Sequence, residues 1–141
     1  MPTRAAACFM MMLGAATGGC GPTGRPQPER FPVKGMVTLD GEPLADGRIE
    51  FKTISTGYID GMPVKNGVFA GRAVAGDRRV EFSVMKQVPF KGAAMPGTTP
   101  PDTIPEESLP KHLNVNSTFS ATVSPTGPNE FRFELTSQPP K

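Results

Sequence analysis

The sequence predicts an all-β fold, a seven-stranded Greek-key sandwich, on three observations. Seven short segments between Phe31 and Leu135 alternate apolar and polar residues with period two, the pattern of strands with one buried face. Glycine and proline are frequent, at 16 and 17 of 141 residues, which disfavours long helices. Asp40-Gly41, Asp46-Gly47 and Asn66-Gly67 then stand where an antiparallel chain has to reverse.

The first element is not part of that fold. Residues 1–19 read as a signal peptide: Arg4 gives a positive n-region and Ala5 to Ala16 an apolar run, too short to span a bilayer as a helix. Thr17, Gly18 and Gly19 lead into Cys20 in a pattern that resembles a lipobox, the site at which a bacterial lipoprotein is cut and acylated. Thr17 stands where lipoboxes carry an aliphatic residue, so an ordinary secretory signal that leaves Cys20 as a lone thiol is the alternative. Cys8 is lost with the leader in either case, and lipidation of Cys20 leaves no free thiol for a disulfide, a thiolate metal site or a nucleophile. Residues 20–31 continue as a lipidated Cys and a Pro/Gly-rich tether, reaching roughly 30 Å at about 3.1 Å per residue.

The domain is expected over 32–138. Val33, Gly35, Val37 and Leu39 share one phase, and Asp40-Gly41 ends that strand. Ile49 and Phe51 form the core phase of the second strand, after Asp46-Gly47. Gly57 to Val64 reads as a third, and Asn66-Gly67 joins it to a fourth over Val68 to Val74. Val80, Phe82 and Val84 follow after Ala75-Gly76-Asp77. Phe119, Ala121 and Val123, then Phe131, Phe133 and Leu135, complete the set. A Pro-rich stretch over 86–115 lacks periodicity and is expected as a long loop, either mobile or folded over a sheet edge.

The segment Val33-x-Gly35-x-Val37-x-x-Asp40-Gly41-x-Pro43-Leu44-x-x-Gly47-x-Ile49-x-Phe51 resembles the opening of carboxypeptidase regulatory-like domains, and Asn66-Gly67-x-Phe69 and Ala75-Gly76 fit the later half. Pro110-Lys111-His112-Leu113-Asn114-Val115-Asn116-Ser117-Thr118 resembles the segment before the penultimate strand of small planctomycete lipoproteins that carry such a domain. The resemblance implies a transthyretin-like, immunoglobulin-like sandwich, and it brings no catalytic residues with it. It also implies that self-association through sheet edges is open.

Chemistry is thinly signalled. Removing Arg4 leaves 14 basic and 13 acidic side chains, scattered along the chain, so nucleic acid is not an expected partner. His112 is the sole His and has no acid or nucleophile at a recognised spacing; Asp102, Glu106 and Glu107 lack the ladder of a calcium loop. No catalytic residue, metal site or cofactor is therefore expected. Tyr58, Phe90 and His112 are the candidate binding residues for a small ligand or polysaccharide. Lys34, Glu81 and Asn129 sit on strands where an isopeptide bond would form, but Lys34 and Glu81 fall on the outward phase, which argues against it. The expected function is that of a membrane-anchored envelope lipoprotein facing the periplasm or cell surface, a non-catalytic structural or protein-interaction module; a binding protein for a small ligand or polysaccharide is the alternative.

Overall fold

The computed structural model describes Gly24, residues 26–139 and Lys141. The signal peptide, Cys20 and the first part of the tether lie outside the described residues. The chain is all-β, with strands β1 (Arg30–Leu39), β2 (Glu42–Pro43), β3 (Asp46–Lys52), β4 (Ile59–Lys65), β5 (Val68–Val74), β6 (Gly76–Ser83), β7 (Met85–Pro89), β8 (Thr103–Glu107), β9 (Ser120–Val123) and β10 (Glu130–Leu135). A 3-10 helix, Lys111–Leu113, lies between β8 and β9.

The main sheet runs β10-β1-β5-β4-β3-β6-β9, with β2 also paired to β1. Every pairing is antiparallel except β1 with β10. β4 and β5 pair only at Val64–Phe69 and Lys65–Val68, next to their turn, and then diverge. The sheet curls over at this splayed hairpin, so rings from distant strands meet inside: Phe51 on β3 lies 5.8 Å from Phe131 on β10, and Phe82 on β6 lies 5.3 Å from Phe133. Edge-to-face and offset geometries of this kind add to the burial of the rings themselves. Phe119 closes the cluster with edge contacts to Phe82 and Phe133.

The turns explain the register. Asn66 and Gly67 have φ of 50° and 75°, the positive pair that a two-residue hairpin requires. Asp40 and Gly41 repeat the device at 52° and 87°. The two turns are locked together: Gly67 N donates to Leu44 O and Val37 N donates to Gly67 O. Where β4 and β5 separate, Asp60 substitutes for the missing ladder, since its carboxylate accepts from Val74 N at 2.9 Å and from Arg30 Nε at 2.6 Å.

Two expectations are corrected. β1 begins at Arg30, so its first residues come from the segment read as tether, and Phe31 already pairs with Ala73. The 86–115 stretch is no structureless loop: β7 and β8 pair as a separate two-stranded ribbon, Lys86 opposite Glu106 and Val88 opposite Ile104, and the 3-10 helix follows. The ribbon stands off the main sheet with no strongly buried face, and so nothing in it had to alternate. After it, Leu109 and Leu113 return to the core.

Candidate functional site

The expected binding residues are dispersed. Tyr58 lies in the β3–β4 connection, half-buried, with its main-chain carbonyl accepting from Thr53 N. Phe90 follows β7 and packs over Gly92, where an added Cβ would fall 2.4 Å from the ring. His112 is in the 3-10 helix, and its Nε2 bonds Thr136 O at 2.9 Å. It lines a small cleft of about 260 Å³ with Leu113, Asn116, Thr118, Phe119 and Thr136, which includes neither Tyr58 nor Phe90. Among the described residues no cluster of three or more His, Cys, Asp or Glu side chains is arranged to hold a metal.

The most built polar cluster lies instead on the outer face of β3 and β6. Register places Glu50 opposite Glu81 and Lys52 opposite Arg79. Like charges directly opposite repel, and the side chains resolve this with one cross-strand diagonal, Lys52 Nζ to Glu81 at 2.5 Å, and with pairs two residues apart on each strand, Lys52 to Glu50 at 3.2 Å, Arg48 to Glu50 at 3.1 Å and Arg79 to Glu81. Gly61 on β4 leaves room for this, because a Cβ there would lie 2.2 Å from the Arg48 guanidinium. Glu81 has the outward phase read from sequence, yet it is only 3% exposed. Burial pushes its carboxyl up, but the bonds from Lys52 and Arg79 outweigh that and hold it below the ordinary range. Lys52 is raised for the matching reason, its two carboxylate partners overcoming the opposing effect of burial.

The cluster continues into the root of the ribbon. Glu107 accepts from Ser83 Oγ, from Val84 N at 2.9 Å, from Leu109 N at 3.0 Å and from Asn114 Nδ2. Burial raises its pKa; Ser83 and the surrounding backbone N–H groups reverse the sign and lower it overall. Asn114 also donates to Phe82 O, and Ser117 Oγ to Val80 O, so the segment after the ribbon is laced onto β6. These groups form a clamp, with each carboxylate satisfied by fixed donors. A shallow depression of about 370 Å³ lies over it, with the exposed side chains of Met85 and Val115 among its walls.

A second fastening was hidden in Asn129. Its Oδ1 accepts from Ser124 N at 2.7 Å, and its Nδ2 donates to Ser124 O and to Pro32 O. It thereby pairs with Ser124 much as a neighbouring strand would, and ties the end of β9 to β1. Lys34 meets Asn129 only through the main chain, its N donating to Asn129 O, while its ammonium pairs with Glu130 at 2.8 Å on the surface. The three side chains weighed for an isopeptide bond are therefore engaged separately. Beside Asn129, a groove of about 540 Å³ runs between Phe31–Lys34 and the 124–130 connection.

Sequence alone did not single out Asp60, and it weighed Glu81, Glu107 and Asn129 only for other chemistry, because each has a partner far away in the chain. The sharpest available signal was Glu50 facing Glu81, which follows once the β3–β6 register is known. Comparison with protein-family models, with curated proteins and with solved structures finds no match.

Proposed function

We propose that this chain is an envelope lipoprotein, held to a membrane through Cys20, whose domain is a non-catalytic interaction module that presents the β7–β8 ribbon to a protein partner. Its seven strands β10-β1-β5-β4-β3-β6-β9 are proposed as a transthyretin-like core of the carboxypeptidase regulatory-like kind, with β2 and the ribbon as additions. The observation that carries the reading is the ribbon. It projects from a body whose interior is filled with interlocked Phe rings, it shows Met85 and Ile104 to solvent with Met95 in the turn beyond, and the Glu107 clamp fixes its root. Exposed apolar side chains on a fixed support are what a contact surface needs.

Two measurements test the reading. Full-length chain is expressed in a bacterium with lipoprotein machinery, and the intact mass of the membrane-extracted product is compared with that of Cys20→Ala; a diacylglyceryl adduct lost in the variant is expected. A photo-crosslinking residue at Ile104 is then compared with one at Ser120 in intact cells. A discrete adduct from Ile104 alone supports the module, and adducts from Ser120 alone would sink it. The ligand-binding alternative rests on the groove beside Asn129, and chemical-shift changes at Phe31 and Gly127 on titration with short oligosaccharides would favour it instead.

A further inference from the structure

A free strand edge is a template for another strand, and this fold blunts several of its own. On the ribbon, Phe90 N donates to Asp102 O and Ser108 N to Val84 O. That phase turns the main-chain groups of Met85, Gln87 and Pro89 outward on one side, and of Thr103, Pro105 and Glu107 on the other. Each outward row thus contains a proline with no N–H to offer. On β9 the bond from Val80 N to Phe119 O turns Ser120, Thr122 and Ser124 outward, and the Asn129 amide occupies both groups of Ser124.

β10 is different. The bonds Lys34 N to Asn129 O and Asp40 N to Leu135 O fix the phase of its parallel ladder with β1. Phe131, Phe133 and Leu135 therefore turn their main-chain groups to β1, while Glu130, Arg132 and Glu134 turn theirs outward. Their side chains are 59%, 68% and 72% exposed. The next outward carbonyl, Thr136 O, is taken by His112. Among the described residues no strand pairs with this edge.

We propose that the β10 edge is an interface with a second copy of this chain, the two β10 strands pairing antiparallel about a two-fold axis at Phe131. Charge and the Thr136 contact together select the register. With Phe131 opposite Phe131, Glu130 of each copy faces Arg132 of the other, giving two reciprocal ion pairs, and the half-buried Phe131 rings meet at the centre. Moving the axis to residue 132 sets Arg132 against Arg132 and Glu130 against Glu134. Moving it to residue 133 sets Arg132 against Glu134, but runs Glu130 against Thr136, whose carbonyl is already bonded to His112. The intrastrand pair Arg132–Glu134, at 3.3 Å and exposed on both sides, exchanges at little cost.

Sedimentation equilibrium of the full chain in density-matched detergent tests this. The contact is far below standard interface size, so a dissociation constant on the order of 0.1–1 mM is expected. Glu130→Arg and Arg132→Glu each invert two pairs and weaken the dimer by about tenfold, and the double exchange restores it. Glu130→Arg would tighten a dimer centred on residue 132 and leave one centred on 133 unchanged, so either result overturns the proposal. Arg132→Pro removes an outward N–H that β1 does not use; unchanged circular dichroism with loss of the dimer is expected. A monomer at all concentrations up to the millimolar range, or a double exchange that fails to recover association, also overturns it.

Discussion

Asn129→Ala removes three hydrogen bonds at once, to Ser124 N, Ser124 O and Pro32 O, from a side chain that is 8% exposed. A hydrogen bond contributes about 1 kcal/mol net, and a buried partner left unpaired costs about 1–3 kcal/mol. Ser124 is half-buried and Pro32 exposed, so water replaces part of the loss. The expected destabilisation is about 2–3 kcal/mol, or a fall in Tm of roughly 10–15 °C for a domain of this size. Urea unfolding monitored by circular dichroism gives the free energy, and hydrogen exchange at the Ser124 amide gives the local reading, protected in the parent and fast in the variant. Asn129→Asp separates the two roles. It keeps the acceptor for Ser124 N but sets a carboxylate against two carbonyl oxygens, so its folded-state pKa is raised. Relative to the parent, this variant is then least impaired below about pH 3.9, where the carboxyl is protonated in both states, and loses ground as pH rises. A loss below about 0.5 kcal/mol for Asn129→Ala, with Ser124 still protected, would refute the claim that this amide closes β9 onto β1.

Gly35→Ala places a Cβ 2.0 Å from Phe131 O and 2.8 Å from the Phe69 ring, so β1 and β10 must part; a loss of about 3 kcal/mol or failure to fold is expected in the same urea assay. Phe82→Ala empties a fully buried site between Phe119 and Phe133 and is expected to cost about 3–5 kcal/mol, read as a shift in the urea midpoint at unchanged slope. Glu81 and Glu107 both have folded-state pKa values below the ordinary carboxylate range, so their contribution is present above about pH 4.3 and is lost as pH falls through the folded values. Thermal scans from pH 6 to pH 2 are expected to show Tm falling below about pH 4.5, with a shallower fall for Glu107→Gln; a flat profile would contradict the clamp.

What could be read from the sequence follows from what buries a face. β5 was legible to the residue, because Phe69, Gly71 and Ala73 share the inward phase behind Asn66-Gly67, whose positive φ values few other pairs tolerate. The ribbon was not, since β7 and β8 bury little, and Pro89 and Pro105 read as strand breakers although they sit on outward edges where no donor is needed. The clamp was half legible. Glu81 has the phase of a surface residue, and only the cover supplied by Lys52, Arg79 and the root of the ribbon makes it interior. Asn129 lies 97 residues from Pro32, so no local pattern could mark it. The ligand residues Tyr58, Phe90 and His112 were chosen for residue type alone, and type does not bring side chains together.

The two proposals constrain each other through geometry. β1 runs parallel to β10, with Gly35 beside Phe131, so a two-fold axis at Phe131 points the two β1 strands in opposite directions. Arg30 precedes Gly35 by five residues, which places each tether entry about 16 Å from the axis and the pair about 33 Å apart along the strands. A tether from Cys20 reaches about 30 Å when extended. Two anchored copies with strands upright on the membrane would need one tether at full stretch, whereas strands lying along the membrane let both stay slack. Anchoring also holds the copies in a thin layer, where an effective concentration in the millimolar range is enough for an interface this weak. The anchored dimer is therefore expected to lie flat, and in that posture the ribbon, which belongs to neither β10 edge, remains free for a partner.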